Sequence, residues 1–489
     1  MASIPEIRQN RLDKIELLKK KGIDSYPISS KYDVTLKEAI EDFDALSEKK
    51  EQLRLVGRII SLRLQGAIGF FNFTDGTATF QGFLKKGDTP DELFDLFGET
   101  VDIGDFVEIE GTLFLTKTNQ KTILVLNWKM LAKSLRPLPE KWHGLQDVEE
   151  RFRRRYVDAL MAPEVKERFI LRSKLITEMR RILDDSGYLE VETPALQPIY
   201  GGASAEPFVT HHNALDIDLY LRISDELYLK RMLVAGFPKV YEISKDFRNE
   251  GIDVTHNPEF TMLEFYESFS NAEKQMAFVE KMFKTLVKKL FDSETLAWNE
   301  QEIDFSKEFT VISYFDLLKK YALISNPENA TIEDLKSKAV ELGVPIANGD
   351  SYYKIMDNIY KKACRPKLIQ PTFIVDYPLD YLPLAKKKEG NDKVVDAFQL
   401  VIGSIELVKA FSELNDPVDQ RERFKNQEKI KKEGEADAQV SDEDFLEAME
   451  HGMPPAGGVG IGIDRLMMLL ADVRNIKEVI FFPTMKPRE

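Results

Sequence analysis

The chain has 489 residues, with 68 Lys and Arg against 83 Asp and Glu, a formal charge of −15 and 43% hydrophobic residues. This composition excludes a disordered or fibrous chain, and at about 100–200 residues per domain it leaves room for two to four domains. The single cysteine, Cys364, excludes an intrachain disulfide and a Cys-built zinc site, the acid excess speaks against a general nucleic-acid coat, and no run approaches the roughly 18 apolar residues of a membrane span, so a cytoplasmic protein is expected.

Residues 1–50 read as a helical extension. Its first helix, 5–21, sets Leu12, Ile15 and Leu18 on one side and Arg8, Arg11, Lys14 and Lys19–Lys21 on the others. Over 51–135 the pattern changes to five short alternating runs broken by glycine, which predicts a small barrel or sandwich. Arg136-Pro-Leu-Pro139 opens a linker at 136–150. The remainder, 151–489, reads as one region mixing helices and strands. A helix over 163–186 has Pro163 in its first turn and Gly187 at its end, and a strand over 188–192 stops at Pro194. Residues 272–365 are mainly helical in pattern, strands return from Lys393, a helix is expected over Asp464–Asp472 and a last strand over 478–482.

Two features carry chemistry. From Tyr241 to Glu250 the chain alternates, with Glu242, Ser244, Asp246, Arg248 and Glu250 on one face, and a returning strand carries Phe260, Met262, Glu264 and Tyr266. A carboxylate among large apolar groups is costly unless a cation pairs with it, so the pair of strands reads as a binding floor. The second feature is Gly457-Gly-Val-Gly-Ile-Gly-Ile-Asp-Arg465. Alternating glycines admit a close ligand, and Asp464 stands where a helix N-cap belongs. The spacing is G-x-G-x-G, not the G-x-G-x-x-G of a dinucleotide site, and no βαβ unit follows.

Together, the strand to Pro194 after a long helix, Phe247-Arg-Asn-Glu250 and Gly458-x-Gly-x-Gly-x-Asp-Arg465 resemble motifs 1, 2 and 3 of the class II aminoacyl-tRNA synthetases. His143-Gly-Leu-Gln-Asp147, Gly201-Gly-Ala203, His211-His-Asn213, Glu226-Leu-Tyr-Leu-Lys-Arg231, His256-Asn-Pro-Glu-Phe260 and Phe411-Ser-Glu-Leu-Asn-Asp-Pro417 narrow the resemblance to the bacterial lysyl-tRNA synthetase family. It implies an α+β chain: an OB-fold β-barrel that binds the anticodon, then a catalytic domain on an antiparallel sheet flanked by helices, with a mainly helical insertion at about 290–390. It also implies a homodimer built on motif 1.

The implied reaction activates lysine with ATP and transfers it to the terminal adenosine of tRNA(Lys), with Mg²⁺ neutralising the polyphosphate. By resemblance Arg248 and Arg465 are catalytic, and Arg248, Glu250, His256, Asn257, Phe260, Glu406, Gly462 and Arg465 hold ATP. Lysine falls to Gly202, Glu226, Arg248, Glu264, Tyr266, Lys409, Phe411, Glu413 and Gly460. The charge argument for lysine stands independently of the resemblance, because two ammonium groups demand fixed carboxylates, and Glu226, Glu264 and Glu413 supply them. Glu226 also has a plain reading as an acid in the first turn of a helix. Aspartate or asparagine is the alternative substrate, and a non-catalytic paralogue the alternative class.

Three departures stand out. Lys409 replaces the family's asparagine at the substrate carboxylate, and either neutralises that carboxylate or blocks the pocket. Gln399 replaces one of two metal-binding glutamates and leaves Glu406, so fewer or weaker Mg²⁺ ions are expected. Plain alternation also sets Glu406 and Glu413 on opposite strand faces, so both reach one site only through a bulge or a strand end. In the barrel Arg63, Phe70 and Gln81 match residues that read the anticodon, although Phe71 and Phe73 alternate with Phe70 and any of the three suits a core. Residues 1–150 carry a net −4 and the rest −11. RNA recognition is therefore expected from local groups, such as the basic faces of the first helix and Arg63, and not from bulk charge.

Overall fold

The glycine-broken alternation of the N-terminal part closes into a five-stranded barrel in the computed structural model, which describes residues 3–139, 145–347, 350–432 and 440–488. His143 and Gly144, with part of the expected linker, lie outside the described residues. The chain divides into two units, Met1–Gln146 and Asp147–Glu489.

In the first unit, α1 (Ile4–Lys20) is capped by Ser3 in a reciprocal capping box with Glu6. Its basic side is only partly solvated. Arg11 is buried, donating to the Ser134 carbonyl at 2.8 Å, and Lys14 pairs with Asp102 at 2.7 Å, so Arg8 and Lys19–Lys21 remain as its exposed charges. The barrel strands are β1 (Leu53–Gln65), β2 (Ile68–Thr74), β3 (Thr79–Lys85), β4 (Phe106–Leu115) and β5 (Lys121–Ala132), in the order β1-β2-β3-β5-β4. A bulge between Ile59 and Ser61 bends the long β1, which pairs with β4 through its first half and β2 through its second. The phenylalanine ambiguity resolves by period two: Phe71 and Phe73 are buried in the barrel core, and Phe70 lies half-buried on the outside.

The second unit is organised on a sheet of eight strands. Its helices and strands include α2 (Pro163–Asp185), β6 (Leu189–Glu190), α3 (Glu226–Val234), β7 (Lys239–Phe247), β8 (Glu259–Ser268), α4 (Ala272–Phe291), β9 (Thr310–Ser313), β10 (Thr372–Val375), β11 (Ala397–Ile402), β12 (Ile405–Ser412), β13 (Ala456–Gly462) and α5 (Ile463–Leu470). The sheet order is β9-β10-β11-β12-β13-β8-β7-β6. The interior pairs are antiparallel, and only the two edge pairs, β9 with β10 and β6 with β7, are parallel. One face carries Leu263, Phe265, Val408, Ala410, Val459 and Ile461 into a core shared with α2, α4 and α5. The opposite face carries Val240, Tyr266, Ile374, Ala397 and Phe411 into a second core with α3, and a strip of it lines a pocket.

Three expectations are corrected. The helix at 464 starts one residue earlier, with Gly462 as its N-cap, and the Asp464 carboxylate instead accepts the Thr261 amide at 2.7 Å and pairs with Arg172 at 2.6 Å. Residues 478–482 form no strand; a 3₁₀ turn at Ile476–Glu478 precedes irregular chain, whose Phe481 stacks on Phe169 at 3.6 Å. The region 290–390 is less helical than its pattern suggests, because two of its apolar runs, β9 and β10, extend the sheet. Short apolar runs of four residues do not by themselves distinguish strand from helix.

Phe73→Ala should lower the thermal stability of the first unit by about 3–5 kcal/mol, the usual cost of a large core cavity. Phe70→Ala should leave its unfolding midpoint nearly unchanged, which differential scanning calorimetry would check.

Candidate active site

The strip of sheet that lines the pocket is a floor read directly from strand register. Glu264 lies level with Gly460 on β13 and Lys409 on β12, and Tyr266 lies level with Gly458 and Phe411. Met262 pairs with Gly462 at the other end of the strip. The glycines keep the middle strand flat. At Gly458 an added Cβ would stand 2.0 Å from Glu413 Oε1 and 2.3 Å from the Tyr266 ring. A cavity of about 290 Å³ covers this floor.

Glu406 and Glu413 do reach the same side, by both routes that alternation requires. The β11–β12 register slips between Leu400 and Val401, leaving Leu407 as the extra residue of a bulge. Leu407 and Val408 then both enter the core while Glu406 turns to the pocket. Glu413 lies just beyond the end of β12.

One end of the pocket is cationic. Arg248, Lys409 and Arg465 line it, and among the described residues none has a carboxylate within ion-pair distance. The Arg248 guanidinium stands 5.0 Å over the Phe260 ring, and its buried Nε has no partner. Arg465 donates to His256 Nε2 at 2.9 Å, while His256 Nδ1 faces Asp253 at 2.8 Å. The Arg465 contact calls for an acceptor at Nε2, and the Asp253 contact for a donor at Nδ1. Asn257 and Glu250 lie on the same wall; Asn257 donates to the Glu259 carbonyl at 2.6 Å, and Glu250 is exposed. Lys409 opens to the cavity, yet its position deep in the cleft lowers its pKa, with the Glu406 charge acting against that shift.

The other end is acidic and buried. Glu264 is buried, and accepts the Ser224 hydroxyl at 2.9 Å and the Tyr266 hydroxyl at 3.1 Å. Burial, with Asp225 and Asp246 nearby, holds its carboxyl well above the usual range. Glu413 is also buried and raised by burial, against the opposing pull of Lys230. Sequence reasoning left Lys230 among the residues of a motif and gave it no role. It is fully buried, 2.5 Å from Glu226 Oε1, and ion-paired to Glu413 through Oε2. The i,i+4 spacing of Glu226 and Lys230 on α3 was the available signal. Glu413 Oε1 has no hydrogen-bond partner.

Other supporting groups were also missed. Arg222 pairs with Glu242 at 2.7 Å and Asp225 at 3.2 Å, tying the turn before α3 to β7. Gly202, at φ +84°, lies against Ser224 and Glu226 in a place where an added Cβ would stand 2.9 Å from the Ser224 hydroxyl. Gln399 pairs in register with Lys409, but its side-chain carbonyl accepts the Tyr377 hydroxyl at 2.8 Å and does not line the pocket.

On the barrel, Arg63 pairs with Phe70, Phe70 with Phe83 and Asn72 with Gln81. All five side chains therefore share the outer face. Phe70 and Phe83 rings lie 4.6 Å apart, and Gln81 accepts the Thr122 hydroxyl at 2.9 Å. Phe83 and Asn72 were not singled out in the sequence, although their same-face spacing gave them away.

An antiparallel sheet with this divided pocket, and a separate OB barrel, are the two parts of a class II tRNA synthetase. The family model for tRNA synthetases class II (D, K and N) matches residues 147–486, and that for the OB-fold nucleic acid binding domain matches 53–131. The lysine–tRNA ligase of Roseiflexus sp. (strain RS-1) is 45% identical over 485 residues, 99% of each chain. That of Carboxydothermus hydrogenoformans is 43% identical over 489 residues, again 99% of each, and that of Aquifex aeolicus is 47% identical over 436 residues, 89% of this chain and 73% of the relative. The chain belongs to the lysine–tRNA ligase family.

Gly458→Ala should drive Glu413 and Tyr266 apart. Lysine-dependent ATP–pyrophosphate exchange should fall by roughly 100-fold or more, while ATP affinity, measured by titration calorimetry, should stay within a few-fold.

Proposed function

We propose that this chain joins lysine to tRNA(Lys) in two steps on the divided pocket. A lysine carboxylate oxygen attacks the α-phosphorus of ATP, the bond from that phosphorus to the bridging oxygen breaks, and pyrophosphate leaves. The lysyl group then passes to a hydroxyl of the tRNA's terminal adenosine, and AMP is released. No covalent enzyme intermediate is needed, so the protein acts by positioning and by charge.

The observation that carries the choice of lysine is the partnerless Glu413 Oε1, a buried carboxylate oxygen above the Gly458 floor. Leaving a buried charged oxygen unbonded is costly unless a ligand supplies the donor. Glu226, Glu264 and Glu413 exceed Lys230 by two negative charges, and lysine brings two ammonium groups. Its ε-ammonium meets Glu413, beside Tyr266 and Phe411. Its α-ammonium lies nearer Glu264, with Glu226 and the backbone at Gly202 closing that side and Gly460 beneath. Same-face residues along a strand stand about 7 Å apart, which suits the four-carbon stem between the two groups. Aspartate has no side-chain ammonium for this end.

At the cationic end Arg248 spans the substrate carboxylate and the α-phosphate, and Arg465 holds the γ-phosphate. Both are forks that stay charged and bind oxyanions at two points. Phe260 carries the adenine, with Glu250 and Asn257 at its edge; His256 reaches the phosphates and Gly462 leaves them room. Among the described residues no cluster of three metal-ligating side chains occurs. Glu406 is the carboxylate that would steady a Mg²⁺ arriving on ATP, an arrangement common for this ion, and Mg²⁺ would there neutralise phosphate charge. On the barrel, Phe70 and Phe83 form a stacking platform for an anticodon base, with Arg63, Gln81 and Asn72 around it. A homodimer is proposed through motif 1, whose Ile170 and Leu189 are exposed. A cytoplasmic setting is proposed with it, where ATP, lysine and tRNA are at hand.

Lysine-dependent ATP–pyrophosphate exchange should proceed with lysine and be absent with aspartate. Glu413→Gln should lower kcat/KM for lysine by roughly 100-fold or more; exchange within a few-fold of normal would reject the assignment. Burial raises the Glu264 and Glu413 pKa values in the empty pocket, and an incoming ammonium favours their ionised forms. Lysine binding should therefore release protons, and affinity should rise with pH through the range where these groups ionise. Calorimetry in two buffers of different ionisation enthalpy measures that release. For the barrel, Phe70→Ala should raise the KM for tRNA and leave lysine-dependent exchange unchanged.

A further inference from the structure

Lys409 stands at the level where the pocket changes sign. Towards Gly462 lie Arg465 and Arg248, and towards Gly458 lie the buried acids, with Lys409 facing Glu264 across the bare Gly460. A carboxylate joined to a phosphate must bring both anions to this level if its ammonium groups are to reach the acids. Among the described residues, the Lys409 ammonium has no carboxylate within ion-pair distance and no hydrogen bond. Lys409 is exposed into the cavity, so its ammonium is open to an anionic ligand without first leaving another partner.

The metal chemistry of the same place points the same way. A protein-held ion beside Lys409 would need carboxylates, and Gln399, level with Lys409 on β11, offers a neutral amide whose oxygen is already engaged by Tyr377. The donor set thus fits one Mg²⁺ carried on ATP and steadied by Glu406. It does not fit a second ion held between β11 and β12, where the ammonium would repel it.

We propose that Lys409 is a tethered counter-ion that contacts the substrate carboxylate and the α-phosphate, and does in this chain what a second protein-held Mg²⁺ would otherwise do. The inference rests on the lysine-activating function above. As the carboxylate oxygen bonds to the α-phosphorus and pyrophosphate departs, Lys409 offsets charge on the equatorial oxygens without giving up a proton. It opens to the cavity, so its replacement leaves the core intact.

The test compares the wild type with Lys409→Met, Lys409→Arg and the double variant Lys409→Asn with Gln399→Glu, in pyrophosphate exchange at fixed ATP and varied free Mg²⁺. Alongside, Mn²⁺ bound in the presence of ATP and unreactive lysinol is counted by electron paramagnetic resonance. Wild-type exchange should level off once Mg²⁺ matches ATP. Lys409→Met should lose roughly 100-fold in kcat, Lys409→Arg should recover much of that loss, and the double variant should bind one more Mn²⁺ than the wild type and respond steeply to free Mg²⁺. If Lys409→Met keeps kcat within about threefold, or the double variant and wild type bind equal Mn²⁺, the counter-ion role is overturned. A wild-type chain with no lysine-dependent exchange at any Mg²⁺ level would instead overturn the lysine function, whatever the metal count.

Discussion

The rest of the catalytic unit depends on keeping unlike charges apart across a few residues of sheet. Arg248, Arg465 and Lys409 repel one another and would be neutralised by the acids if the floor let them meet, while Glu226, Glu264 and Glu413 are costly to bury together. The glycines of β13 solve the steric half of this problem, because side chains at 458 and 460 would fill the gap that a ligand must bridge. Register handles the electrostatic half by setting Lys409 and Glu264 level with the bare Gly460 between them, so that a glycine strand separates the two sets where they come level. A zwitterion with an extra ammonium, joined to a polyphosphate, is the ligand whose charges complete both ends.

The surrounding structure can be read as support for that separation. The apolar face of the sheet, packed on α2, α4 and α5, gives the floor a rigid backing. Arg222 binds Glu242 and Asp225 and so fixes the turn that presents Glu226. Lys230 holds two of the three acids at once and offsets part of their charge. Arg172 and the Thr261 amide occupy Asp464 at the start of α5, so the helix that carries Arg465 is tied to β8 and to α2.

Much of this is legible in the sequence, because period-two alternation fixes which residues share a strand face. Phe260, Met262, Glu264 and Tyr266 line up as their spacing requires, and the barrel's outer Phe70 separates from Phe71 and Phe73 by the same rule. Alternation failed where one residue was extra: the bulge at Leu407 turns Glu406 towards the site and is invisible in a run of plausible strand residues. Lys230 escaped notice because a lysine on a helix usually points to solvent, and its burial depends on Glu413, almost two hundred residues away. Asp464 had the right residue type for a cap, yet its partners come from other elements. The short strands β9 and β10 lay hidden in a region whose longer stretches are helical.

Lys409 stands at the middle of the pocket, with Gln399 level with it on β11, in a chain that matches the class II unit and the OB-fold domain of its family. Their effect is to move positive charge from solution into the protein, at the level where lysine's carboxylate would meet the α-phosphate. The most direct test of the divided pocket is a crystal structure of the chain with lysine and a non-hydrolysable ATP analogue. The account predicts the ε-ammonium within hydrogen-bond distance of Glu413 Oε1 and the carboxylate within reach of Lys409 and Arg248. Lysine bound in the reverse sense, or with its carboxylate turned away from Lys409 and its ε-ammonium away from Glu413, would contradict it.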